Sequence, residues 1–183
     1  MRKTLLKYGL ISGLLCAAMM AIATPLEDRV GYNHGYYIGY TLIVLSFLLV
    51  FFGIRSYREQ ESGGQITFTK AFAVGISITL ITCVFYVLTW EIIYFNFTPD
   101  FMDKYAAFLV QKAHASGMSA AALQAQLAQI EKMKVLYNNV FYNAALTFLE
   151  PFPVGLAITL LSAAVLRKRT QKQPASSSLP VSD

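Results

Sequence analysis

Charged residues are scarce in this sequence. Only 14% of its 183 residues are Asp, Glu, Lys or Arg, against about a quarter in ordinary soluble domains. The deficit excludes a conventional water-solvated surface, and with 56% hydrophobic residues and a mean hydropathy of +0.50 it points to a bilayer as solvent. Cysteine is nearly as rare. Cys16 and Cys83 both lie inside apolar runs, and no CxxC or Cys/His cluster exists. Neither a zinc site nor a redox pair is supported, so both thiols read as small packing residues. The two histidines, His34 and His114, stand far apart without metal-ligand spacing or a nucleophile beside them. No metal-ligating, cofactor-binding or catalytic set is therefore expected. No glycine-rich phosphate loop follows a strand, and strand signal is itself weak. The formal charge of +5 could suggest a nucleic acid, but no basic run interleaved with aromatics follows a phosphate backbone, so none is expected as a partner.

What is present is a series of long apolar runs. The first covers about 5–23 and follows Arg2 and Lys3, with Lys7 just inside it. Ala21-Ile22-Ala23 has the form of a signal-peptidase site. The run is nevertheless long enough to span, and Gly9, Ser12 and Gly13 make a small-residue face suited to helix packing, which favours a retained helix. The second run, about 36–54, opens with Tyr36, Tyr37 and Tyr40, an aromatic belt. Gly31, Gly35 and Gly39 recur every fourth residue just before and within it, a strip that would let another backbone approach closely; Gly31 and Gly35 read rather as turn residues. A polar connector with Gly63-Gly64 follows, and Thr67 or Thr69 can cap a third run over about 71–95. That run is broken only by Glu91, and Trp90, Tyr94 and Phe95 mark its far boundary.

The stretch over about 98–139 differs in kind. Thr98-Pro99-Asp100 reads as cap, first-turn proline and first-turn acid of a helix carrying Phe101, Tyr105, Phe108 and Leu109 at helical spacing. Ser116-Gly117 breaks it, and Ser119 caps a second helix. That one has an apolar stripe of Leu123, Leu127, Ile130, Met133 and Leu136 or Tyr137. A helical hairpin outside the bilayer fits both segments. The last run, about 141–166, contains Glu150-Pro151-Phe152-Pro153, whose prolines should kink the helix or delay its regular start. The tail over 170–183 is rich in Ser, Pro and Gln and is expected to be disordered. The fold class is thus all-α: an integral membrane bundle of four transmembrane helices with a helical hairpin between the third and fourth.

Ten of the fifteen Lys and Arg residues fall on one side of that topology and five, spread over longer segments, on the other. The positive-inside rule then puts both termini in the cytoplasm and the hairpin outside. Glu91 and Glu150 come to similar depth in the outer leaflet, where a carboxylate is expensive and marks a candidate site. Two acids at one level could share a proton, bind a cation or pair with a Lys or Arg. The plainer readings are that Glu91 is interfacial and wet, and that Glu150 satisfies backbone donors freed by the prolines. Asn143 and Thr147 share a helical face with Glu150, which makes a polar network there plausible.

Several stretches resemble a family of bacterial membrane proteins known as domain of unknown function 4199. They are Tyr8-Gly9-Leu10-Ile11-Ser12-Gly13, Gly64-Gln65-Ile66-Thr67-Phe68 with Lys70-Ala71-Phe72, Thr147-Phe148-Leu149-Glu150 with Pro153-Val154-Gly155, and Leu166-Arg167-Lys168-Arg169. The resemblance implies a bacterial inner-membrane protein of four helices with a helical insert before the last, and a retained first helix. It implies no activity.

Two roles are compatible with these residues. One is a non-enzymatic scaffold, assembly or accessory protein, whose small-residue faces and amphipathic hairpin would meet a second copy or another membrane protein. The other is a small transporter, or a proton- or cation-coupled carrier, that uses the intramembrane carboxylates. Nothing supplies the nucleophile–base pair of a membrane enzyme.

Overall fold

The computed structural model describes residues 1–168, and the tail expected to be disordered over 170–183 lies outside them. Among the described residues seven helices follow one another: α1 (Arg2–Val30), α2 (Tyr32–Gln60), α3 (Phe68–Asn96), α4 (Phe101–Ala115), α5 (Ala120–Tyr137), α6 (Val140–Leu149) and α7 (Pro151–Leu166). No strand occurs among the described residues; Ile66 and Lys168 form one isolated bridge. Four segments are long and apolar enough to cross a membrane: Arg2–Pro25, Tyr37–Gln60, Phe68–Asn96 and Val140–Leu166. The fold is therefore an all-α bundle of four membrane-spanning segments, with α4 and α5 set between the third and the fourth.

Helix α3 is the centre of the bundle, packing against α1, α2, α6 and α7. Its sequence is apolar all round, as a helix must be when one side meets protein and the other meets lipid. Val74, Ile78, Cys83, Tyr86, Trp90 and Tyr94 are buried, whereas Leu80, Val84, Leu88 and Ile92, each four residues from the last, are exposed as a lipid-facing stripe.

Lipid offers no hydrophobic drive for one apolar helix to seek another, so close packing at small residues must supply it. Gly9 and Gly13 let α1 lie directly on α3: a β-carbon would come 2.8 Å from Ile81 Cδ1 at the first and 2.7 Å from Phe85 Cγ at the second. Ser12, between them, donates to the Ser46 carbonyl of α2 at 2.9 Å. Between α3 and α7 the arrangement is reciprocal. A β-carbon at Gly75 would stand 2.8 Å from Thr159 Cγ2, and one at Gly155 would stand 2.5 Å from Thr79 Cγ2. The two threonine hydroxyls bond each other at 2.9 Å.

One end of the bundle is closed by polar ties. The Met1 amino group and the Thr4 hydroxyl both engage Glu61. Arg58 donates to the Leu166 carbonyl at 3.2 Å, and Ile66 and Lys168 exchange backbone hydrogen bonds of 3.2 and 2.9 Å. At the opposite end α4 and α5 pack on each other, held also by Lys134 and Asp103 at 2.7 Å. Gly117, with φ of 68°, makes the turn between them, and Ser119 caps α5 by accepting from the Ala122 N–H. The stripe on α5 faces inward: Ile130 is buried, and Met133 and Tyr137 pack on Trp90, Tyr94 and Met102.

Three local expectations need adjustment. Gly31 does turn the chain, with φ of 80°, but Gly35 lies inside α2; its N–H bonds to the Gly31 carbonyl at 3.0 Å, so the helix starts earlier than the aromatic belt. Thr98 does not cap α4. Its hydroxyl donates back to the Ile93 carbonyl at 3.4 Å, Pro99 and Asp100 form a turn, and the helix begins at Phe101. Of the two threonines proposed to cap the third span, Thr67 does so, accepting from the Lys70 N–H at 3.3 Å. The proline effect is an interruption of the hydrogen bonding: α6 ends at Leu149 and α7 begins at Pro151, a residue without an N–H, while Glu150 between them keeps helical backbone angles (φ −72°, ψ −58°).

The reciprocal clasp gives a prediction. Replacing Gly155 by Leu forces a branched side chain against Thr79 and Phe47 and should destabilise the bundle by roughly 1–3 kcal/mol. Denaturant unfolding in mixed micelles measures this; a Gly155→Leu variant as stable as the parent would mean that the α3–α7 approach is dispensable.

Candidate functional site

The break at Glu150 places a carboxylate at the start of α7, on the side turned toward α3. It does not satisfy freed backbone donors, and no side-chain cap forms at this N-terminus. Instead Tyr86, on α3, donates its phenol to Glu150 Oε2 at 2.8 Å. One and two helical turns earlier, Thr147 and Asn143 occupy the same face. Thr147 Oγ1 donates to Asn143 Oδ1 at 3.1 Å, and Trp90 Nε1 donates both to that oxygen at 3.1 Å and to the Tyr137 hydroxyl at 3.0 Å. Tyr94 then donates to Asn138 Oδ1 at 3.0 Å. Tyr86, Trp90 and Tyr94, spaced by four, thus form a ladder on α3 that binds the end of α5, Asn143 of α6 and Glu150 at the head of α7. Asn143 is fully buried, and its Nδ2 has no hydrogen-bond partner among the described residues.

Beside this ladder lies a cavity of about 330 Å³, within the range of small-molecule sites, which are of order 300–1,000 Å³. Every helix except α7 contributes wall, and Glu150 stands at the head of that one. From α1 come Cys16, Met19, Met20, Ala23 and Thr24, and from α2 Tyr32, Gly35, Gly39, Leu42 and Ile43. Tyr86 and Trp90 of α3, Phe101, Met102 and Tyr105 of α4, Met133 and Tyr137 of α5, and Leu146, Thr147 and Glu150 complete it. Glu150 is the only residue among them with a formal charge at neutral pH. The rings brace one another: Trp90 meets Phe101 edge-on at 4.9 Å, and Tyr32 meets Tyr105 edge-on at 5.5 Å. Burial at the end of α5 pushes the Tyr137 phenol up to about 12, so it remains a neutral hydroxyl.

The structure therefore brings three of the four candidate residues together and leaves one apart. Asn143, Thr147 and Glu150 share the network. Glu91 is not among the cavity-lining residues; both its carboxylate oxygens are inaccessible and without a hydrogen-bond partner among the described residues. No hydrogen bond joins the two acids. The physical reason is helical phase: Glu91 follows Trp90 by one residue, about 100° around α3 from the ladder. His34 and His114 are both exposed, and Cys16 and Cys83 are buried free thiols, the former on the cavity wall.

Sequence reasoning missed the aromatic wall. It took Trp90 and Tyr94 as boundary markers and Tyr137 as part of an apolar stripe. The signal that could have found the wall is the Tyr86-x-x-x-Trp90-x-x-x-Tyr94 spacing, one amphipathic ring per turn on a single face. Gly39 was also misjudged, as part of a strip inviting a second backbone. A β-carbon there would meet nothing within 4 Å, and the missing side chain widens the cavity.

The profile of the family described as a protein of unknown function, DUF4199, matches residues 7–168. The chain belongs to that family. No curated protein and no solved structure matches it.

If the ladder holds α5 and α6 in place, removing its donors should loosen them. Trp90→Phe leaves Asn143 Oδ1 and the Tyr137 hydroxyl without their indole donor, for an expected loss of roughly 1–3 kcal/mol. Hydrogen exchange in α5 and α6 should accelerate with it. Unchanged protection of α5 would refute the ladder's role.

Proposed function

We propose that this chain is a non-enzymatic carrier of the membrane, with the cavity as its substrate site and Glu150 as the charge-bearing anchor. The observation that supports this is the pairing of a partly open, aromatic-lined cavity with a single carboxylate that no Lys or Arg neutralises within the described wall. An unpaired carboxylate at membrane depth is costly, so it is retained where a proton or a ligand's charge exchanges with it. The broken α6–α7 segment resembles the interrupted helices around which membrane carriers build their sites.

The scaffold reading has less support, because the features that motivated it are used internally. Gly9 and Gly13 are covered by α3, and the apolar stripe of α5 is turned onto α3 and α4. An enzyme is not favoured either: Cys16, the one thiol on the wall, has no histidine beside it.

For orientation, Arg2, Lys3, Lys7, Arg55, Arg58, Lys70, Arg167 and Lys168 cluster by the end closed through Glu61. We infer from the positive-inside rule that this end is cytoplasmic, in a bacterial inner membrane, and that α4 and α5 roof the cavity on the outer side.

Access from water tests the reading. In a Cys16→Ala, Cys83→Ala background, Gly39→Cys should be modified by methyl methanethiosulfonate added to intact cells, and Phe47→Cys, in the packed core, should not. Failure to modify Gly39→Cys from either side of the membrane, in cells or in inverted vesicles, would mean a sealed void and would sink the carrier proposal.

A further inference from the structure

The reading of the cavity as a ligand site leaves the ligand's chemistry open, and the wall itself narrows it. Within the described wall the only formal charge is negative, so an anion would meet Glu150 with no Lys or Arg to offset it. Small hard cations are poorly served as well. Calcium takes about six to eight oxygen ligands, and magnesium an octahedral set, whereas this wall is mainly carbon, sulfur and ring. Among the described residues, no three His, Cys, Asp or Glu side chains gather into a metal-holding group. Zinc and softer transition metals would want such thiolate or imidazole sets.

What the wall does offer is six aromatic rings, from Tyr32, Tyr86, Trp90, Phe101, Tyr105 and Tyr137. The face of each ring is electron-rich and attracts a cation whose charge is spread over alkyl groups, most strongly when water is excluded. A carboxylate beside such rings supplies the long-range term, and the rings supply contact. Tyr86 contributes to both: its ring is wall and its hydroxyl holds Glu150 Oε2 at 2.8 Å, which fixes the carboxylate against the cavity edge. Bound there, a cation would discharge the cost of a half-buried carboxylate that no described Lys or Arg compensates.

We propose that the cavity recognises an organic ammonium monocation, with Glu150 as counter-ion and the aromatic wall, Trp90 foremost, as its cage. The site has room to take it: about 330 Å³ accommodates an arylalkyl or tetraalkyl ammonium.

The chain carries its own reporter, since Trp90 is its only tryptophan. Full-length protein in nanodiscs is titrated with benzyltrimethylammonium while Trp90 fluorescence is followed. The neutral isostere neopentylbenzene, in which carbon replaces the nitrogen, and sodium chloride at equal ionic strength are titrated alongside. The expected result is a saturable change with the ammonium alone. Glu150→Gln, which keeps shape and loses charge, should weaken binding at least tenfold. Gly39→Leu, placed where a side chain meets open space, should abolish the response without lowering thermal stability. Equal binding of the neutral isostere, or undiminished affinity in Glu150→Gln, would overturn charge recognition. Absence of any saturable response, with Gly39→Cys still open to the thiol reagent, would overturn this ligand class and leave the carrier reading standing. A sealed Gly39→Cys would instead remove the carrier reading on which the inference rests.

Discussion

On each of two crossing helices a glycine receives a threonine from the other. Gly75 accommodates Thr159, Gly155 accommodates Thr79, and the two hydroxyls close the contact. Inside a bilayer there is no water to expel from between apolar surfaces, so such close approach, with its dispersion and hydrogen bonding, has to hold helices together. The clasp brings α7 hard against α3 and fixes where its first turn stands. Glu150 lies five residues before Gly155, little more than a turn away, and its distance from Tyr86 follows from that placement.

Beyond the clasp, toward Glu150, the character of the contact changes. Small residues give way to Tyr86, Trp90 and Tyr94 on α3, and α6 gives way to α7 at Pro151. The proline has two effects at once. It ends the backbone hydrogen-bond ladder of α6, and it lets the chain restart with a carboxylate at the joint. Lipid alone would penalise both features. The ring ladder offsets them, giving Glu150 a phenol, Asn143 an indole and α5 a bonded seat. Helices α4 and α5 add Phe101, Met102, Tyr105, Met133 and Tyr137 to the wall, and the cavity is what the surrounding helices leave between them.

Much of this was legible in the sequence. Four apolar runs, a threonine cap at Thr67 or Thr69, the Ser119 cap, the Gly117 break and the proline interruption follow from local rules, because composition and turn chemistry act over a few residues. The polar face of Asn143, Thr147 and Glu150 could be read from helical spacing. Glu91 could not be separated from Glu150 in the same way. Depth in a membrane can be counted along a helix, but the direction a side chain faces depends on how that helix is rotated against its neighbours. For Gly39 the same ambiguity held: spacing shows a small-residue strip, and only packing tells whether a helix or a void lies against it.

The sequence by itself determined that this chain lives in a bilayer, crosses it four times and carries an acid at a broken helix. Hydropathy, length and proline chemistry are properties of a segment and need no partner. Tertiary structure decided that Glu150 meets Tyr86, that Glu91 stays outside the network, and that six rings from four helices line one space. Those outcomes depend on helix rotation and crossing, which are set by contacts between residues far apart in the chain, and no local pattern encodes them.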